Sequence, residues 1–373
     1  MLGWYQVEKL KKFVFPFLLI FLSFFANLAL SQQYLDYQDK ELKGLLLEGI
    51  DDSFREDYSF AEKNFKQLLS KAPQDPGGYF FLAMLYQAQM MDYESDFREK
   101  DFYKSIKMAK KYARERIKSN RKDAWAYLLL GNAYGAIALY EVRKGNWWSG
   151  LNNGLRAKSA LKEAVKHDPE LYDAYVSLGS YHYWASVVVP HWAGWLPFIG
   201  DRREEGISEI KLGYQRSIFS QDAAANGLIW IYINEKKFDQ AISLAENMQN
   251  KYPEGKSFLW ALATAYYEKS DWTNALLSYQ EILVRIENQI VRSSSSDNHL
   301  ENPNNYYNRI ECKFHIANCL FNLGRFEECI LTCEEIQNYP LDEKTKERQK
   351  DKLNRTKRLL EKSLKLLGKA AEG

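Results

Sequence analysis

Leu228, Tyr232, Phe238 and Ala241 recur 34 positions later as Leu262, Tyr266, Trp272 and Ala275. A fixed period of that size marks a chain made of small units, each too small to bury its apolar face except against its neighbours. Such chains present extended surface rather than house chemistry, so the first expectation is a binding scaffold. The period lengthens toward the N-terminus. Ala61, Ala109 and Ala157 stand 48 apart, as do Leu82, Leu130 and Leu178, and Leu178 to Leu228 is 50.

Inside each unit a large residue, Leu, a small residue and Tyr follow one another at offsets of three, one and three. Tyr79, Leu82, Ala83 and Tyr86 fit, as do Tyr127, Leu130, Gly131 and Tyr134; Tyr175, Leu178 and Gly179 fit with His182 in the Tyr slot. The closing half reads Tyr58, Ala61, Phe65, Pro73, then Ala157, Leu161, Ala164, Pro169, then Phe238, Ala241, Ala245, Pro253. These spacings put one apolar stripe on each of two helices. The small residues let two helix backbones approach, and the prolines end the second helix because they carry no backbone donor.

This pattern resembles the tetratricopeptide repeat family over roughly residues 50–340. The resemblance implies an all-α, right-handed α-solenoid of antiparallel helix pairs over 32–342. It also implies a protein or peptide partner on a concave face. The early hairpins are lengthened, with tips expected near 90–100, 143–154 and 184–200 and a loop at 292–305. Residues 343–373, charged but carrying Leu353, Leu359, Leu360, Leu364, Leu366 and Leu367, are expected as a capping helix over the open end of the array.

Because the added residues fall between the two helices of each early unit, their tips should share one edge. The second and third tips hold Trp147, Trp148, Trp184, Trp192 and Trp195, with Phe198. Aromatics gathered on loops are the usual substance of interface hot spots, so these six are the candidate partner-binding residues. Packing of the tips on one another as a satellite core is the alternative, and a glycan or membrane interface are other occupants of the same edge. The stretch Leu196–Gly206 is similar to one in a divergent group of tetratricopeptide proteins. Physically it reads as a helix start capped by Asp201, with Glu204 and Glu205 in the first turn.

Lys9, Lys11 and Lys12 precede an apolar run from Phe13 to Leu30 that closes in Ala29-Leu30-Ser31. This fits a cleaved secretory signal over residues 1–31, with an uncleaved anchor as the alternative. The whole chain has 51 Lys and Arg against 49 Asp and Glu; the first 31 residues hold three and one of these, leaving 48 of each. That balance argues against nucleic acid as a partner. An exported chain, periplasmic or extracellular, is thus expected.

All four cysteines fall within one unit, and folding about Gly324 sets up two candidate disulfide rungs, Cys319 with Cys329 and Cys312 with Cys333. Free thiols filling small core positions are the other reading. His315 joins Cys312 and Cys319 on one stripe, but the close Cys pairs of a structural zinc site are missing. No Gly-rich phosphate loop, nucleophile elbow or H-E-x-x-H is present, so no catalytic residue, cofactor or metal is expected. The sequence reads as a non-enzymatic scaffold; a small-molecule or glycan receptor and a membrane-anchored assembly factor are the alternatives.

Overall fold

The computed structural model describes residues 40–188, 200–294 and 304–371 of the 373. The expected signal over 1–31 lies outside them, as do Trp192, Trp195 and Phe198 and most of the loop expected at 292–305. Among the described residues there are fifteen helices and no strand. They are α1 (Lys40–Arg55), α2 (Tyr58–Lys71), α3 (Pro76–Asp92), α4 (Glu99–Ser119), α5 (Ala124–Arg143), α6 (Trp147–His167), α7 (Tyr172–Val188) and α8 (Arg203–Arg216). Then come α9 (Gln221–Asn234), α10 (Phe238–Lys251), α11 (Lys256–Glu268), α12 (Trp272–Ser294), α13 (Tyr306–Asn322), α14 (Phe326–Gln337) and α15 (Glu343–Ala371). None of these helices is long and apolar enough to cross a membrane.

The chain forms two compact units. Of the described residues, one holds those up to Gln89, those of Arg98–Ile231 and Tyr252–Glu254; the other holds Met90–Phe97, Tyr232–Lys251 and those from Gly255 onward. In the first unit consecutive helices pair antiparallel. Gly131 on α5 faces Leu161 and the Ala157 carbonyl of α6, while Gly150 at the other end of α6 faces Val142 and the Ala138 carbonyl. Rising number on one helix thus meets falling number on the next. α7 and α8 do the same, with Gly179 against Gly206 and Val176 against Gly213. Tyr252, 1 % exposed, stacks on Phe54 of α1 at 5.1 Å, its hydroxyl 2.7 Å from Asp222 and 3.0 Å from Asp51. Burial, then Asp222, pushes this phenol up.

The turn inside each pair has a common physical cause. Asn146 N donates to Glu141 O (2.8 Å), Lys237 N to Tyr232 O (2.8 Å), Asp271 N to Tyr266 O (2.9 Å) and Arg325 N to Leu320 O (2.9 Å). Each is the six-to-one bond that satisfies an orphan carbonyl at a helix end and places one residue in the left-handed region. That residue is glycine at Gly145 and Gly324, but Lys236 and Ser270, 34 apart, hold the same slot at φ 58 and 65. The next helix then starts with a side-chain cap where the residue allows it: Asp123 accepts from Ala126 N at 2.8 Å and is held by Arg116.

In the second unit α13, α14 and α15 bury Ile310, Phe314 and Ile336, with Leu353 of α15 packed against them. α15 also turns Thr356, Leu359 and Ser363 inward while Leu364 and Leu366 stay exposed. The segment 90–97 is held here too. Asp92 pairs with Lys256 (3.2 Å) and accepts from Gln289 (2.7 Å), its carbonyl accepts from Asn305 and Asn308, and Glu94 pairs with Arg348 (2.6 Å).

Candidate functional site

The structure divides the predicted aromatic edge. Residues 147–154 are not a loop: α5 runs to Arg143 and α6 starts at Trp147 after a three-residue turn. The added length of this unit is spent on long helices. Trp147 and Trp148 occupy the first turn of α6, 45 % and 85 % exposed, and Leu151 and Leu155, both 49 % exposed, continue the row one and two turns on. Positions 148, 151 and 155 share one helix face. Trp184 does not belong to this edge. α7 continues through it to Val188, so its indole turns inward, 3 % exposed and edge-on to Tyr183 at 4.9 Å.

The helices that open each unit offer little surface. On α3 every residue from Phe80 to Gln89 is buried, and on α9 every residue from Asp222 to Ile231. Ten consecutive buried positions go fully round a helix. On α5 the eight residues from Gly131 to Ala138 are buried in succession and do the same.

The tyrosine slot that closes the opening motif gathers charged partners. At Tyr86 the hydroxyl donates to Glu62 (3.0 Å), and Arg98 lies 3.9 Å over the ring and pairs with the same carboxylate. Burial works to raise Glu62, but Arg98 and Lys66 outweigh it and leave the carboxyl below its ordinary range. At the His182 slot Nδ1 lies 2.6 Å from Glu209 and Nε2 lies 2.5 Å from an Arg202 nitrogen. Arg202 only donates, so Nε2 accepts and Nδ1 carries the proton toward Glu209. His182, Glu205 and Glu209 are spaced as metal ligands could be, but Arg202 also bonds Glu205 (2.5 Å) and already supplies the cation there. In the second unit the Tyr266 hydroxyl donates to Glu246 (2.7 Å), and burial, then Glu246, pushes it up to about 12.

The Tyr134 slot differs. Lys110 lies 5.1 Å from its ring centre, Arg156 5.7 Å and Arg114 5.8 Å, and Arg114 donates to its hydroxyl at 2.5 Å. The signal of this cluster stands in the sequence, because 48 residues on from Glu62 the chain reads Lys110.

Cys312, Cys319, Cys329 and Cys333 are free and fully buried, so neither Cys319 with Cys329 nor Cys312 with Cys333 is joined. Cys329 instead accepts a hydrogen bond from the Cys333 thiol one turn on along α14 and another from Ser363 of α15 at 3.3 Å. The Cys333 bond draws the Cys329 thiol down while raising that of Cys333. His315 leaves the cysteine stripe for an aromatic setting, stacked on Tyr279 at 4.6 Å and edge-on to Tyr267 at 4.6 Å, with Nε2 3.3 Å from Glu311. Burial pushes Glu311 up, but Lys352, bonded to it from α15, and His315 outweigh burial and hold the carboxyl well below its ordinary value.

Antiparallel helix pairs closed by one recurring turn, with paired charges on a recurring tyrosine slot, define a helical-hairpin repeat protein. Residues 227–289 match the family model described as tetratricopeptide repeat. That segment carries tetratricopeptide repeats. No curated protein matches it. Among solved structures it is similar to a thermophilic tetratricopeptide protein from Thermus thermophilus (18 % identity, TM-score 0.39, 61 % of this chain and 99 % of that one). It is also similar to yeast Tom70 (16 %, 0.41, 92 % and 69 %) and to a tetratricopeptide protein from Parabacteroides merdae (13 %, 0.33, 87 % and 99 %). The repeat fold is that of a protein–protein interaction scaffold.

Proposed function

We propose that this protein is an exported, non-enzymatic scaffold that binds a protein partner along the exposed face of α6. The observation that carries the reading is the row Trp147, Trp148, Leu151 and Leu155, left open to solvent while α3, α5 and α9 are buried all round. An indole at 85 % exposure contributes nothing to the fold and much to an interface, where Trp is the commonest anchor. The flanking residues suit a partner with acidic groups at its rim: Arg156, Lys158 and Lys162 follow on α6, and no acid stands before Glu163.

A photo-crosslinking residue placed at position 148 in the native host should trap one defined partner, and Leu151→Ser with Leu155→Ser should abolish the band. The same probe at Lys166, exposed on the far end of α6, should not trap it. An identical pattern at both positions, or a band indifferent to the double substitution, would reject this surface. Export rests on the lysine-led apolar run of residues 1–31. Mass spectrometry of the protein from its host should find the chain starting at Gln32, and an intact Met1 would overturn the cleaved signal.

A further inference from the structure

The charges on the Tyr134 slot do not balance, and the repeat supplies its own control. Tyr86 and Tyr134 stand 48 residues apart in equivalent slots, and so do Glu62 and Lys110. At the first slot one carboxylate answers Arg98 and the phenol together. At the second, the acid has become a lysine and two guanidiniums have been added. None of Lys110, Arg114 and Arg156 makes an ion pair with any described residue. Every other slot of this kind described above has its acid, Glu62 at Tyr86, Glu209 at His182 and Glu246 at Tyr266.

Three cations drawn to one ring gain some cation–π attraction but repel one another. Lys110 is half-buried, and its ammonium is pushed below the ordinary value by that burial, then by Arg114 and Arg156. The three come from two helices, Lys110 and Arg114 from α4 and Arg156 from α6, with Tyr134 on α5 between them. Lone lysines on a surface bend away from each other into solvent, whereas here the side chains converge.

We infer that Lys110, Arg114 and Arg156 form, over the Tyr134 ring, a site for a phosphate-type oxyanion. Two guanidiniums supply paired donors that match phosphate oxygens, and the lysine adds a point charge. Tyr134 sets the floor of the site, its hydroxyl taken up by Arg114 so that this guanidinium is held in place. A bound oxyanion replaces the carboxylate that the neighbouring slot has in Glu62. The group is either free phosphate or the headgroup of an anionic phospholipid.

The test is thermal unfolding of the full chain in inorganic phosphate against chloride at equal ionic strength. Phosphate should raise the wild-type Tm by about 3 °C when several-fold above its dissociation constant. Lys110→Glu rebuilds the balanced slot from within. It should melt higher than wild type without phosphate and gain nothing from adding it. Arg156→Gln, at an exposed position, should keep the fold and lose most of the phosphate effect. Co-sedimentation with phosphatidylcholine vesicles containing phosphatidic acid separates the sources. Vesicle binding that Lys110→Glu abolishes and phosphate competes away assigns the headgroup, and a phosphate-dependent Tm without vesicle binding assigns the free ion. Equal Tm values in phosphate and chloride, or a phosphate effect that survives in Lys110→Glu, would overturn the site.

Discussion

Lys352→Met should destabilise the second unit by about 3 kcal/mol at neutral pH, because it removes one member of a largely buried ion pair and leaves the other. Glu311 and Lys352 are 21 % and 17 % exposed, and Glu311 also accepts from His315. The loss is therefore set near the low end of what a fully buried carboxylate would show. The pH dependence gives the prediction its second edge. Glu311 has a folded pKa below its ordinary 4.5, so its contribution is present above 4.5 and is lost as pH falls below it. Wild type should accordingly lose stability between about pH 5 and pH 3 more steeply than the variant, and the gap between them should narrow on acidification. Urea denaturation followed by circular dichroism at about pH 7 and about pH 3.5 measures both. A gap of equal size at the two values would mean that Lys352 acts through its methylenes packed near Phe314, where its ammonium lies 5.3 Å from the ring, rather than through its charge.

The family and the helix pairing were legible because they rest on periodicity, and periodicity survives in a single sequence. Gly131 sits where the spacing put it, at the close approach of α5 and α6, and Ala241 is fully buried on α10. What misled the reading around 143–154 was glycine. Gly145 is a true turn residue at φ 85, but Gly150 and Gly154 lie inside α6. A Cβ on Gly150 would run into the Val142 side chain, so the residue is there for proximity to α5 rather than to break a helix. Local composition cannot separate these two uses. The segment 90–97 failed differently. The repeat spacing makes it a tip between two helices, yet Asp92 and Glu94 find their partners at Lys256, Gln289 and Arg348, 164 to 254 positions away. Only the fold brings such residues together. The tryptophans divide on the same principle: Trp148 is exposed because it starts a helix at an edge, and Trp184 is buried because a helix carries on through it.

Gly206→Ala should cost the first unit about 3 kcal/mol, the upper end of what overpacking a tight contact usually costs. One methyl group carries this because of what it would meet. A Cβ on Gly206 would lie 2.5 Å from the Gly179 carbonyl oxygen and 2.7 Å from the Tyr183 backbone nitrogen, and a Cβ on Gly179 would lie 2.6 Å from the Gly206 carbonyl oxygen. These are backbone atoms of α7 and α8, which no rotamer change can move aside, so the two helices must separate. Separation would loosen Ile207 and Ile210, now 4 % and 0 % exposed, and strain the His182–Glu209 bond one turn from the crossing. The effect runs opposite to the intrinsic preference, since alanine in an open helix is favoured over glycine by about 1 kcal/mol. Gly44 in α1 provides that comparison: nothing stands within 4 Å of its Cβ, so Gly44→Ala should be neutral or stabilising. Denaturation midpoints of the two variants against wild type should therefore move in opposite directions. If both rise, the crossing of α7 and α8 has room to spare, and the close approach at Gly179 and Gly206 does not hold this part of the repeat together.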